Sequence, residues 1–367
     1  MKTLRFYFKL ASLLVTMLAV QVSYGQTFEK ERSVNKSFKL SAETEIEVSN
    51  KYGDVHIVPW EKDSVRFEIK LKVITNKETK LDKAFDYVDF DFKATKYYVI
   101  ASTVFVGKGT FWTEVSDVAN NLFSAGTKTT IDYTIYLPAK STLKVDNKYG
   151  NIYTTDLSGT LNITLSNGDL KAHRFSGTTT MNTEFGNIDI QIIDNGNLTI
   201  SYGELQLESS TKLTLTSRSS EIEIDEVTQL NLESKRDKLN LESVGTLIGQ
   251  TYFTTLKVDE LNTKIDLTSK YGSTELEKLG KMKSFLLKSD DSDIKLNFAK
   301  ENKYTLDLTV DEKTQVYYSA DITNIKTVNL GGDDKLISVK STIGSGTQTP
   351  LNLKLDVRAG TVSLKLK

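Results

Sequence analysis

The sequence predicts an all-β protein, a parallel β-solenoid (β-helix) of about 17–18 residues per coil. Two columns of apolar residues carry this prediction. Ile152, Leu170, Ile188, Leu205, Ile222, Leu239 and Leu256 recur at steps of 18, 18, 17, 17, 17 and 17 residues. Leu157, Phe175, Ile193, Ser210, Val227, Val244, Leu261 and Leu279 keep the same beat. Two registers that drift together mean one structural unit copied many times. A coil of this size cannot bury its own apolar side chains, so neighbours must stack. At roughly 3.3 Å per residue, short strands and tight corners return the chain to a parallel neighbour about 4.8 Å away.

The elements follow in chain order. Residues 1–25 read as a secretory signal peptide. Lys2, Arg5 and Lys9 form its basic start, Leu10 to Val22 its mostly apolar run, and Ser23 and Gly25 the small residues before a cut at Gln26. No Cys lies near the cut, so a lipoprotein is not expected, and no later segment reads as a transmembrane helix. Residues 26–140 are expected to form a β-rich N-terminal cap. In it, Glu45–Val48 and Val65–Val73 alternate as strands with one wet face. Leu81, Ala84, Phe85 and Val88 fall on one helical stripe, which predicts one short helix within 77–90. Residues 107–129 read as a long loop carrying Phe111, Trp112 and Phe123, and Ile131–Leu137 as a strand closed by Pro138.

Residues 141–298 hold the repeats. Each opens on a turn, as in Lys148-Tyr149-Gly150-Asn151, Ser166-Asn167-Gly168-Asp169, Glu184-Phe185-Gly186-Asn187 and Ser201-Tyr202-Gly203-Glu204. The glycine is expected to supply positive φ at the corner. The aromatic residue before it is expected to stack along the coil axis. A further corner near Leu157 or Phe175 is expected to divide each coil into short strands. Ser220, Asp237 and Thr254 replace the glycine in the middle coils, which predicts looser corners or a one-residue shift. After Asn297 the spacing is lost, and 299–367 read as a C-terminal β-rich cap continuing the solenoid and covering its open end.

The segment Asn50-Lys51-Tyr52-Gly53-Asp54-Val55-His56-Ile57 and its echo Asn147-Lys148-Tyr149-Gly150-Asn151-Ile152 resemble the bacterial "putative adhesin" β-strand-repeat envelope proteins. The resemblance covers most of the chain from about Asn50 onward. It implies an exported, non-enzymatic β-solenoid and supplies no catalytic or binding residues.

Composition narrows the chemistry. The chain of 367 residues has no Cys, which removes disulfides, thiol nucleophiles and Cys-based zinc sites. Without the basic residues of the leader the charge is slightly acidic, so nucleic acid is not an expected partner. The two histidines, His56 and His173, have no neighbours at metal-ligand or triad spacing. Asp290-Asp291-Ser292-Asp293 is the densest acidic cluster, but it lacks the ligand pattern of a calcium loop and reads as a solvated corner. Gly331-Gly332-Asp333-Asp334 reads as a turn. Asp189, Glu204, Glu221, Glu223 and Asp225 lie on the outer side of successive strands, and coils this short leave little room for the loops of a catalytic cleft.

These readings predict no enzyme, no cofactor and no metal. The expected function is an exported surface-recognition or adhesin-type protein that stays in the periplasm, sits on the outer surface or is secreted. Its expected partner is a macromolecule, a glycan or an envelope protein. The alternatives are a periplasmic structural or regulatory envelope protein and, less favoured, a polysaccharide-active β-helix enzyme. Phe111, Trp112 and Phe123 are the candidate partner contacts, set against the reading that they pack on the helix.

Overall fold

The structure, a computed structural model, describes residues 27–105, 126–332 and 335–367. The leader and the predicted contacts Phe111, Trp112 and Phe123 lie outside the described residues. Within them the protein is all-β apart from one helix, and its strands belong to one hydrogen-bonded sheet. The described parts of 1–32, 72–88 and 105–129 form one compact unit, and 33–71, 89–104 and 130–367 a second.

The N-terminal third contributes β1 (Phe28–Lys39), β2 (Glu45–Lys51), β3 (Val55–Pro59), β4 (Ser64–Thr75), α1 (Glu78–Asp86), β5 (Val88–Ala94), β6 (Tyr98–Phe105) and β7 (Thr127–Leu137). In the smaller unit, Ala84, Phe85 and Val88 are buried as the helical stripe predicts, and Lys30 lies over the Phe85 ring. The helix is shorter than the 77–90 window. Val88-Asp89-Phe90-Asp91-Phe92 alternates with period two, and that pattern with its β-branched start favours a strand from Val88.

The repeats follow as β8 (Thr142–Lys148), β9 (Ile152–Tyr153), β10 (Asp156–Leu157), β11 (Leu161–Ser166), β12 (Leu170–Glu184), β13 (Asn187–Ser201), β14 (Glu204–Arg218), β15 (Glu221–Lys235), β16 (Lys238–Tyr252), β17 (Thr255–Lys270), β18 (Ser273–Leu276) and β19 (Ser284–Phe298). They pair in parallel, each one repeat from the next. Ile152 aligns with Leu170, Leu170 with Ile188, Ile188 with Leu205, Leu205 with Ile222, Ile222 with Leu239 and Leu239 with Leu256. The second column aligns in the same way from Leu157 to Leu279. Every residue of the first column is buried, so the columns form the core of these rungs. Each fully buried Leu or Ile there contributes roughly 1.5–3 kcal/mol. Strands β12 to β16 run 15 residues each, so the expected corner at Phe175 is a bend within a strand. Between β12 and β13 the pairing slips there, after Phe175.

The same register reaches beyond the periodic segment at both ends, out of chain order. Val55 of β3 aligns with Ile152 on one side and with Tyr133 of β7 on the other. Likewise β2 pairs with both β6 and β8, so an early rung is inserted between two later ones. The last strands are β20 (Tyr304–Val310), β21 (Gln315–Tyr318), β22 (Lys326–Gly331), β23 (Leu336–Ile343) and β24 (Leu351–Leu366). The spacing lost after Asn297 resumes in β24, where Val362 aligns with Ile294 and Leu364 with Leu296. The far edge of β24 is taken by β20 and β21 in parallel. Strand β23 pairs antiparallel with β20, and β22 antiparallel with β23.

Candidate recognition surface

The corners set which side chains face solvent. Positive φ falls on the residue before the glycine: Tyr149 at 59°, Phe185 at 57°, Tyr202 at 56° and Tyr271 at 54°. Gly150, Gly168, Gly186 and Gly203 are absent from the positive-φ glycines. The expectation that glycine supplies the left-handed conformation is therefore corrected. Glycine is needed for close approach. A Cβ at Gly150, Gly168 or Gly186 would fall under 3.0 Å from the carbonyl oxygen of Gly53, Gly150 or Gly168, the same corner one rung earlier.

The residue after the glycine has its own task. Asp54 Oδ1 accepts the backbone N–H of Asn151 at 2.7 Å, Asn151 Oδ1 that of Asp169 at 2.8 Å, and Asp169 Oδ1 that of Asn187 at 2.8 Å. Each Asn or Asp thus satisfies a backbone donor of the next rung. The Asn three residues before the glycine is buried, and Asn147 Nδ2 donates to the Gly150 carbonyl at 2.8 Å. The two Asn positions and the Gly of the Asn-Lys-Tyr-Gly-Asn corner thereby each have a structural reason.

Ser220, Asp237 and Thr254 do not shift the corner. Positive φ recurs at Ser219, Arg236 and Phe253, in step with the tyrosines. The three side chains turn inward and are buried. Asp237 accepts from Ser217 Oγ at 2.7 Å, Ser234 Oγ at 2.6 Å, Ser220 N at 2.8 Å and Lys235 N at 2.9 Å. Four donors hold one buried carboxylate.

The positive-φ residues form an exposed aromatic column. Tyr52 stacks on Tyr149 with centroids 5.4 Å apart, Phe185 on Tyr202 at 5.0 Å, and Phe253 on Tyr271 at 5.1 Å. Burial, and next the neighbouring Tyr149 phenol, push the Tyr52 hydroxyl up. Asn167 interrupts the column once, and Ser219 with Arg236 a second time. Stacking along the axis, as the sequence predicts, therefore occurs in pairs.

Beside this column, a trough of about 440 Å³ opens on the outer face of β14–β17. Gly249 lines it, at the register position that the buried Leu215, Leu232 and Leu267 hold in the neighbouring rungs. Gly249 has φ 150°, and a Cβ there would strike the Leu232 carbonyl. Ile248, half-buried, puts an apolar patch on the wet face, in line with Thr214, Asn231 and Asp266. The parallel row is Thr216, Glu233, Gln250 and Thr268. A contiguous hollow of about 250 Å³ shares Glu233, Gln250 and Thr268 and runs on to Tyr252, flanked by Lys235 and Lys270. The Tyr252 ring meets Phe253 edge-on at 4.8 Å and Tyr271 edge-on at 5.3 Å, which holds it in place. Glu233 and Asp266 form no ion pair among the described residues.

The other sequence-predicted positions do not converge. His56 stacks on Tyr153 at 4.9 Å, while His173 contacts Asp156 in a different rung. Asp189 pairs with Lys171 at 3.4 Å and Glu221 with Lys238 at 2.6 Å, so the acidic ladder is partly neutralised by neighbouring rungs. In the 290–293 cluster, Asp291 is the positive-φ corner and Ser292 accepts the Gly272 N–H at 3.2 Å. Among the described residues no three His, Cys, Asp or Glu side chains are placed to hold a metal, and no helix is long and apolar enough to cross a membrane. Sequence reasoning missed the trough. Its available signal was a glycine breaking a leucine column, with isoleucine beside it on a polar face.

No protein-family model matches the chain, and no curated protein does. Among solved structures it is similar to a "putative cell adhesion protein" of Clostridium sporogenes, at 9% identity and TM-score 0.18, over 92% of this chain and 100% of that one. It is similar to a "putative adhesin" of Bacteroides fragilis at 11% identity and TM-score 0.22, over 92% and 97%. A "putative lipid binding protein" of Parabacteroides distasonis is similar at 15% identity and TM-score 0.28, over 69% and 96%. With likenesses this distant, the functional reading rests on this chain's own geometry.

Proposed function

We propose that the chain is an exported, non-catalytic β-solenoid that recognises another macromolecule at the cell surface, an adhesin-type role. One observation carries the reading. Parallel rungs, in register apart from slips after Phe175 and Val244, place outward side chains of successive rungs in rows at a spacing of about 4.8 Å. Such a surface suits an extended or repetitive partner. The basic, apolar and small-residue stretches of 1–25 support export. The ion pairs along the acidic ladder support a solvated face over paired catalytic carboxylates.

The test is cell fractionation with protease shaving of intact cells, joined to binding of the purified chain to intact cells and to envelope extracts. Cleavage by external protease together with saturable binding is the expected result. Protection from protease with capture of an envelope protein would favour the periplasmic scaffold instead. Hydrolysis of a polysaccharide by the purified chain would overturn the non-catalytic reading.

A further inference from the structure

We propose that the Gly249 trough and the Tyr252 hollow together form a binding site for a neutral polysaccharide. The inference deepens the recognition reading above and rests on it.

Size comes first. The two hollows, about 440 and 250 Å³, adjoin and share Glu233, Gln250 and Thr268 in their linings. Their volume falls within the roughly 300–1,000 Å³ of ordinary ligand sites. The trough crosses four rungs, roughly 14 Å at about 4.8 Å per rung. It is open to solvent, so it admits a chain rather than enclosing a small molecule.

Its chemistry selects the class of chain. Asn231 and Gln250 offer an amide donor beside a carbonyl acceptor, the pairing that adjacent sugar hydroxyls satisfy from both sides. Thr216 and Thr268 add hydroxyls that donate or accept. The Glu233 and Asp266 carboxylates, without an ion pair among the described residues, accept hydroxyl protons in charge-assisted bonds. Ile248 and the Tyr252 ring supply apolar surface for the C–H faces of sugar rings. Tyr252 is fixed by edge contacts with Phe253 and Tyr271, so little side-chain entropy is lost on binding.

Other ligand classes fit less well. In the trough itself, Glu233 and Asp266 stand without a lining cation and repel uronate, sulfate and phosphate groups at close range, while Lys235 and Lys270 stand only at the Tyr252 end. The amides and carboxylates would be left unsatisfied against a lipid tail. An added peptide strand needs a free sheet edge, whereas the backbone beneath this trough is already paired on both sides in β15 and β16.

The experiment is affinity electrophoresis of the chain from residue 26 onward in gels containing hydroxyethylcellulose, mannan or xylan, with alginate as the anionic comparison. Isothermal titration with the corresponding oligosaccharides follows. At least one neutral polysaccharide should retard the protein, and alginate should not. Tyr252→Ala and Thr216→Arg should each weaken binding about tenfold, with the melting transition of the wild type retained. Both positions face outward, and the melt separates lost binding from lost folding. Retardation that survives both substitutions would move glycan binding elsewhere and overturn the trough. No retardation by any neutral polysaccharide would overturn it as well. In that case, saturable binding to intact cells would leave the recognition reading standing, and its absence would remove both.

Discussion

The corners at Gly150, Gly168 and Gly186 and those at Ser220, Asp237 and Thr254 turn the chain through the same backbone conformation with different chemistry. In both sets the preceding residue holds positive φ, whether it is Tyr149 and Phe185 or Ser219 and Arg236. In the first set the interior of the corner is glycine, and at Gly150 and Gly168 the next rung's N–H is met by the Asn or Asp side chain that follows the glycine. In the second set Lys238 N bonds the Ser220 carbonyl directly and Thr255 N the Asp237 carbonyl, while a buried hydroxyl–carboxylate cluster fills the interior. A repeat is thus defined by its backbone path. Side-chain identity at the corner follows one of these two patterns, and Gly203, whose carbonyl accepts the Glu221 N–H directly, is the junction between them.

Gly168→Val tests this most severely. The added Cβ would meet the Gly150 carbonyl, and the loss should reach about 3 kcal/mol or more, read as a collapse of the denaturation midpoint. Asp237→Ala removes the acceptor of two hydroxyls and two backbone N–H groups. About 2–4 kcal/mol should be lost, and Asp237→Asn should recover part of it. A melt unchanged from wild type would mean the cluster does not organise the polar corners. Asp169→Ala breaks one link of the side-chain ladder at an exposed position where water can replace it. A loss of about 0.5–1 kcal/mol is expected in chemical denaturation.

The smallest expected effect has the opposite sign. Asp146, beside the glycine corner, is buried, and burial pushes its carboxyl up while Lys148 and Lys144 pull it down. A carboxyl raised in the folded state binds its proton more readily there than when unfolded. It therefore lowers stability at neutral pH, and the penalty fades as pH falls through the raised value. Asp146→Asn should stabilise the protein slightly at pH 7, and the gain should vanish in acid. Equal denaturation midpoints for variant and wild type at pH 7 would count against this assignment.

Much of the architecture was legible because it is local and repeated. The 17–18-residue step aligns in three dimensions as it does in one, down to Ser210 standing in the column between Ile193 and Val227. The turn motif was legible, but its physics was misassigned. A glycine beside a positive-φ aromatic looks like a conformational requirement until the carbonyl one rung away is in view. The helix end at Asp86 was obscured because Val88 satisfies both the helical stripe and the strand alternation that follows.

By itself the sequence determined the strand content, the period, the two buried columns and the corner positions, because these follow from nearest-neighbour stacking of copies along the chain. Tertiary structure decided the order of the outermost rungs. Val55 comes to lie between Tyr133 and Ile152, and β24 between β19 and β20, through pairings of segments far apart in the chain that leave no periodic trace. It also decided the candidate site. Asn231, Gln250 and Asp266 come from three different strands and meet on one face only when parallel register brings them side by side. Side-chain proximity across rungs is set by hydrogen-bonded alignment, which no single segment of the chain contains.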